Sequence, residues 1–239
     1  MRYAVYHLPQ GDLGHWGSAW LGWDARKRHD ATAVSDVQPK GETPPRRNGA
    51  ALPRTQGELT ATPRRYGFHA TMKAPMHLAE GRSLVELRAR LGEIAATNTG
   101  FAMEMALNWD WGFLALRPLV QPPELMALEA ALVTGLDDFR APLSEQDRAR
   151  RHPERLSPTA REHLDRWGYP HVLDLFHYHL TLSGAITEQE GATLAQAFEP
   201  ELAPLLARPM PVAAIALVAE GPDKHFRLIE EFPLEAGAG

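Results

Sequence analysis

The feature that most constrains this chain is an order of elements that runs twice. Tyr66 to Ala74 reads as a strand, and Ser83 to Asn98 as a helix with Leu84, Leu87, Leu91 and Ile94 on one face. Phe101 to Leu107 and Gly112 to Leu116 then read as strands. The same order of strand, helix, strand, strand returns in His177 to Ser183, Thr187 to Phe198, Val212 to Ala219 and His225 to Ile229. Both helices open on a capping box, Ser83 with Glu86 and Thr187 with Glu190, which satisfies backbone donors at the helix start. The spacing agrees: Thr71 to Phe101 is 30 residues, and Thr181 to Val212 is 31. Such a repeat predicts two similar α+β lobes facing each other within one unit, residues 1–239.

Each first strand carries His-x-Thr, as His69-Ala70-Thr71 and His179-Leu180-Thr181. In a chain with 11 histidines, two such tripeptides are near what chance supplies, so placement carries the argument. Side chains alternate across a strand, which puts Gly67, His69, Thr71 and Lys73 on one face and Phe68, Ala70, Met72 and Ala74 on the other. The second strand likewise sets His177, His179, Thr181 and Ser183 against Phe176, Tyr178, Leu180 and Leu182. One such polar face could simply be wet. Two at equivalent places of a repeat predict a shared site, with the histidines approaching from opposite sides. A histidine titrates near ~6.5, so one imidazole can take a proton while its partner gives one, as in-line displacement at phosphorus requires. The Thr71 and Thr181 hydroxyls, about 6 to 7 Å further along each strand, could hold the non-bridging phosphate oxygens.

Composition narrows the chemistry. The absence of cysteine removes disulfides, thiolate nucleophiles and thiolate metal sites. His-x-Thr supplies one histidine per strand and no HExxH stands in the chain, so neither a metal nor another cofactor is expected. With 25 Lys and Arg against 30 Asp and Glu, the net charge of −5 gives no global attraction to nucleic acid. The opening Met1 to His7 lacks the apolar core of a signal peptide, and the apolar run Val212 to Ala219 is far short of the ~20 residues that span a bilayer. A soluble, cytoplasmic protein without a membrane partner is the expectation. Asp36 to Arg65, with Pro39, Pro44, Pro45, Pro53 and Pro63, reads as a long loop, and Gly14 to Trp23 has no clear period. Arg140 to Arg166 reads as a solvated helical excursion with a helix start at Ser157-Pro158, a cover over the site being the alternative. Trp16, Trp20, Trp23, Trp109 and Trp111 read as packing residues, and Arg46-Arg47 and Arg64-Arg65 as solvated.

Arg65-Tyr66-Gly67-Phe68-His69-Ala70-Thr71-Met72-Lys73-Ala74-Pro75, with Trp167-Gly168-Tyr169-Pro170 ahead of Phe176-His177-Tyr178-His179-Leu180-Thr181-Leu182, resembles the 2H, or LigT-like, phosphoesterase superfamily. Within it, the chain is similar to a branch of uncharacterised proteins encoded beside phosphonate-degradation genes. Arg2 to Tyr6 and Trp20 to Asp24 extend the likeness over nearly the whole chain. Met72 and Ala74 stand where that branch has Leu and Pro, and His177 where it has a basic residue, often Arg. The resemblance implies a duplicated, two-lobed α+β fold with antiparallel sheets lining a central cleft and helices outside. It further implies that His69 and His179 are catalytic and that Thr71 and Thr181 bind phosphate. Strand position and chemistry add Tyr66, Lys73 and His177 as substrate-binding candidates.

These observations favour a metal-independent phosphodiesterase acting on a small cyclic phosphodiester, a ribose cyclic phosphate linked to phosphonate breakdown being the particular case. Its partner is then a small phosphorylated metabolite. Processing of RNA 2′,3′-cyclic ends is a second reading, which the negative balance disfavours. A non-catalytic binding protein is a third, and it would be better served by Arg or Lys than by two histidines.

Overall fold

A computed structural model describes residues 1–27 and 46–236. Strand β1 (Tyr3–His7) leads into helix α1 (Gly11–Leu21), which occupies the stretch whose period was hidden. The reason is close packing. A Cβ on Gly14 would lie 2.2 Å from the Pro9 carbonyl oxygen, and one on Gly17 would lie 2.2 Å from the Phe68 ring, so glycine stands where a side chain would have shown the helical stripe. The part of the proline-rich loop before Arg46 lies outside the described residues. The rest holds a small hairpin, β2 (Arg46–Arg47) with β3 (Ala50–Ala51), and a short helix α2 (Gln56–Thr60) capped by Thr55 and Glu58.

Strand β4 (Ala70–Met76), helix α3 (Leu84–Ala96), strands β5 (Phe101–Met103) and β6 (Met105–Asn108), and strand β7 (Phe113–Pro118) form the first run. Helix α4 (Pro123–Gly135) follows, then α5 (Glu145–Ala149) and α6 (Pro158–Trp167), the last starting at the Ser157-Pro158 cap as expected. The second run is β8 (Leu180–Ala185), α7 (Glu188–Leu206), β9 (Met210–Val212), β10 (Ala214–Glu220) and β11 (Phe226–Pro233). Both expected capping boxes are formed. Among the described residues no helix is long and apolar enough to cross a membrane.

The fold is α+β with antiparallel sheets. One sheet orders its strands β11-β10-β1-β4 and another β6-β7-β8, while β5 pairs with β9. Each main sheet therefore takes its histidine-bearing strand from one run and other strands from the opposite run. The neighbour of β4 is β1 and the neighbour of β8 is β7, so the spatial counterpart of β7 is β1, although chain order pairs it with β11. Leu87, Leu91 and Ile94 of α3 share one core with Val5, Met72, Leu116, Leu180, Leu182 and Leu217, contributing about 1.5 to 3 kcal/mol each by burial. The alternate residues of β1 and β10 (Ala4, Tyr6, Ala216 and Val218) form a smaller cluster with Phe226, against which Tyr66 packs.

The structure corrects two expectations about the reactive strands. Ladder pairing starts at Ala70 and Leu180, so His69 and His179 each stand one residue ahead of their strand. Alternation also fails along β4, because the β1 pairing shifts register between Val5 and Tyr6. Met72 and Lys73 are consequently both buried, and Ala74 is half-buried.

Gly17→Ala tests the approach of α1 to Phe68. The added methyl overpacks the site, so urea denaturation should show a loss of about 1 to 3 kcal/mol. Because Phe68 precedes His69, the His69 ring signals should shift as well. Unchanged stability and unchanged His69 signals would contradict the packing role.

Candidate functional site

The two histidines are held in the same way. His69 Nδ1 lies 2.9 Å from the Gly67 carbonyl oxygen, and His179 Nδ1 lies 2.8 Å from that of His177. A carbonyl only accepts, so each Nδ1 carries the proton and each Nε2 is left to exchange one. Gly67, at φ +79, makes the bend that brings its carbonyl under the ring. The segment ahead of β8 is held by one side chain: Gln121 Oε1 accepts from the Tyr178 N–H at 2.6 Å, and its amide donates to the Phe176 carbonyl at 3.0 Å. Gln121 thus takes the place of a strand neighbour on either side of His177.

Register makes Thr71 and Thr181 counterparts, opposite Tyr6 and Ala115 respectively. The Tyr6 ring lies 3.9 Å from the His69 ring, and Tyr66 stacks at 5.9 Å. His69 Nε2 accepts from the Thr71 hydroxyl at 3.1 Å. At the second site the small Ala115 leaves His179 without a stacking tyrosine. Trp111 meets it edge-on at 5.4 Å and Phe113 lies at 6.0 Å. The Thr181 hydroxyl makes no hydrogen bond to the described residues and is free for a ligand.

Burial lowers the His69 pKa to about 4; the Gly67 carbonyl opposes the shift and the charge of His179 adds to it. His179 is also lowered, first by burial, with Arg117, His177 and His171 adding repulsion against the His177 carbonyl. Both imidazoles are therefore neutral near pH 7.

The remaining predicted residues divide. Tyr66 is half-buried beside His69. His177 is exposed, with Trp111 5.7 Å away. Lys73 is 3% exposed; its ammonium donates to the Val133 carbonyl at 2.7 Å and lies 3.9 Å from Asp137, and burial lowers its pKa to about 8. It is turned away from the face it was expected to share with His69 and Thr71. Three residues depart from the reading of the sequence. Trp111, read as a packing residue, is 38% exposed against His179. Arg47 and Arg64, read as solvated, are engaged: Arg47 pairs with Glu201, and Arg64 donates to the Leu21 carbonyl at 2.9 Å. Arg117 was not singled out at all. It lies 3.9 Å over the Trp111 ring and pairs with Asp110 at 2.7 Å, putting a permanent charge near His179, and nothing in its sequence surroundings marks it. Among the described residues no three His, Asp or Glu side chains gather as metal ligands do.

His7 packs behind this site. It is 2% exposed, its Nδ1 accepts from the Tyr178 hydroxyl, and its other ring nitrogen donates to the Pro211 carbonyl. Burial, with the charge of Arg26 adding to it, lowers its pKa to about 3.

Residues 71–227 match the family described as "Protein of unknown function (DUF1045)". A protein of Janthinobacterium sp. (strain Marseille) named "Ribose 1,5-bisphosphate phosphokinase PhnN" is 32% identical over 228 residues, 92% of this chain and 47% of that protein. One of the same name from Laribacter hongkongensis (strain HLHK9) is 33% identical over 192 residues, 79% of this chain and 41% of that protein. The chain thus spans about half the length of the curated relatives it matches. A solved structure, E. coli LigT complexed with NADP+, aligns over 98% of this chain and 97% of its own, with 14% identity and a TM-score of 0.39.

The neutral burial of His7 and His69 makes stability depend on pH. Their folded pKa values, about 3 and about 4, lie below the ordinary 6.5. Below pH 6.5 the unfolded chain takes up protons that the folded chain refuses, so stability falls as pH drops toward 4, by about 2 kcal/mol per histidine at pH 5. Denaturation at pH 7 and pH 5 should show this loss, and His7→Gln should remove its His7 share. Equal stability at both pH values would contradict the neutral burial.

Proposed function

We propose, for a chain that belongs to the DUF1045 family, that His69 and His179 hydrolyse a small cyclic phosphodiester by acid and base catalysis without a metal. The observation that carries this reading is the matched pair of imidazole-to-carbonyl hydrogen bonds, each leaving Nε2 without a proton, with His69 feeling the charge of His179. His69, the imidazole pushed down to about 4, is the base. His179, which lacks a stacking tyrosine, carries the proton and is the acid.

His69 Nε2 takes a proton from water as the water oxygen bonds to phosphorus. The ring P–O bond breaks, and His179 gives its proton to the departing oxygen. The product is a phosphate monoester with a free hydroxyl, and solvent exchange restores the two imidazoles. The Thr71 hydroxyl turns from His69 to a non-bridging oxygen, which both frees the base and stabilises the charge forming on phosphorus. Thr181 supplies the matching donor. A phosphodiester anion between the rings favours the protonated form of His179, so substrate binding itself charges the acid.

The names of the two relatives support a ribose phosphate as substrate, and the resemblance to proteins encoded beside phosphonate-degradation genes supports the same setting. The chain holds no G-x-x-x-x-G-K-[ST] phosphate loop, the element that cradles a nucleotide's phosphates in P-loop kinases.

His69→Ala and His179→Ala should each lower turnover of a cyclic phosphodiester by at least ~100-fold with the fold retained, and their effects should not add. Thr71→Val or Thr181→Val should cost ~10-fold to ~1,000-fold. Full activity in the double histidine variant would sink the assignment.

Catalytic efficiency should follow a bell in pH, because one imidazole must be charged and the other neutral. Both pKa values are lowered, so the maximum should fall on the acid side of neutrality. A profile flat from pH 5 to 9, with chemistry limiting, would count against the mechanism. EDTA-treated protein, checked by elemental analysis, should keep its activity, since a bound metal would hold the imidazoles as neutral ligands.

A further inference from the structure

Tyr66, which stacks on His69, also forms part of the wall of a cavity of about 350 Å3. Arg2, Arg65, Lys73, Arg140, Arg150 and Arg151 line this cavity, and Asp147 is the one carboxylate among its lining residues. Ion pairs offset only part of that charge. Arg2 is taken by Glu220 at 2.7 Å, and Arg150 by Asp147 at 3.1 Å. A single carboxylate, Asp137, is shared by Arg140 at 3.0 Å, Arg166 at 3.4 Å and Lys73 at 3.9 Å. Arg65 and Arg151 pair with no carboxylate among the described residues; Arg151 lies over the Tyr169 ring at 4.8 Å. Behind Tyr66, the buried Tyr6 hydroxyl makes no hydrogen bond among the described residues, and Tyr66, Arg2, Glu220 and Tyr169 are the ionisable groups felt there.

In a chain whose net charge is −5, this gathering of cations is local. Like charges around a concave surface repel one another, and Lys73 and Arg140 are only 3% and 13% exposed, so water relieves them little. A bound dianion relieves the repulsion, and guanidinium forks match the oxygens of a phosphate. The cations also converge from separate parts of the chain: the residue before β1, the turn before β4, and the segment around α5. We propose that this cavity receives a second anionic group of the substrate, a phosphate monoester, while the cyclic phosphodiester lies between His69 and His179. The substrate class is then a small cyclic phosphate carrying a separate terminal phosphate. This rests on the two-histidine reading. Its volume suits a small molecule, and the chain's negative charge disfavours an RNA strand.

The test compares adenosine 2′,3′-cyclic phosphate with its 5′-phosphorylated counterpart, which differ by one phosphate monoester. In the wild-type protein kcat/KM should be at least ~100-fold higher for the phosphorylated form. In the Arg65→Gln, Arg151→Gln double variant that preference should shrink to ~5-fold or less, with activity on the unphosphorylated form unchanged. Equal rates on both substrates in the wild type, an equal fall on both in the variant, or preference for an oligoribonucleotide ending in a 2′,3′-cyclic phosphate would overturn the proposal. Calorimetric titration with inorganic phosphate separates it from the parent reading, and it decides the matter if neither nucleotide is turned over. Binding kept in the His69→Ala, His179→Ala variant and lost in the arginine variant supports the cavity even where hydrolysis fails. Binding unaffected by the arginine changes refutes it.

Discussion

The hydrogen bond between His7 and Tyr178 joins the two sheets where the candidate chemistry is set. His7 ends β1 in the four-stranded sheet, and Tyr178 leads into β8 of the three-stranded one. Tyr6, next to His7, is the ring against His69, and His179 directly follows Tyr178. The spacing of the two imidazoles therefore passes through two side-chain contacts, Tyr6 on His69 and His7 on Tyr178, and two peptide links. Burying a phenol and an imidazole is costly unless they satisfy each other, so any separation of the sheets leaves both groups unpaired in an apolar setting. The Pro211 carbonyl extends the tie to β9, which pairs with β5 and so links the second run to the first.

Around that tie, each candidate histidine is supported from behind by a group that no motif contains. Gly17 admits Phe68, which fixes the chain ahead of His69. Gln121 bonds the peptide groups flanking His177. Neither touches the space between the imidazoles. Both govern where the Nε2 atoms point, and such precision decides whether proton transfer is in reach.

The sequence exposes what is periodic or capped. The double order of elements and both capping boxes stand where the pattern of the chain puts them, and the two histidines fall one residue short of it. Strand alternation was misleading at Lys73, because a register shift between β1 and β4 is set by pairing partners more than 60 residues away and leaves no local sign. Helix α1 was hidden because two of its five buried residues, Gly14 and Gly17, are glycines, whose function there is to have no side chain. The correspondence of β1 with β7 was hidden for a different reason: sheet neighbours are chosen in space, and the two runs exchange strands. The basic cavity was invisible too, since Arg65, Arg140 and Arg151 each sit in polar surroundings in the chain and converge only once the segment around α5 folds back over Tyr66.

The pairing of Tyr6 with Thr71, against Ala115 with Thr181, has a consequence for how a ligand is read. A duplicated framework with two identical histidine sites would accept an unsymmetrical molecule in either of two orientations, one of them unproductive, and nothing in the framework would choose. One bulky ring at one of two equivalent positions removes that degeneracy. The imidazole under Tyr6 and the one opposite Ala115 become distinguishable ends, and the pair acquires a polarity that the repeat lacks. A small residue in place of Tyr6 would return the two ends toward equivalence, so a single side chain turns a duplicated scaffold into a directional one.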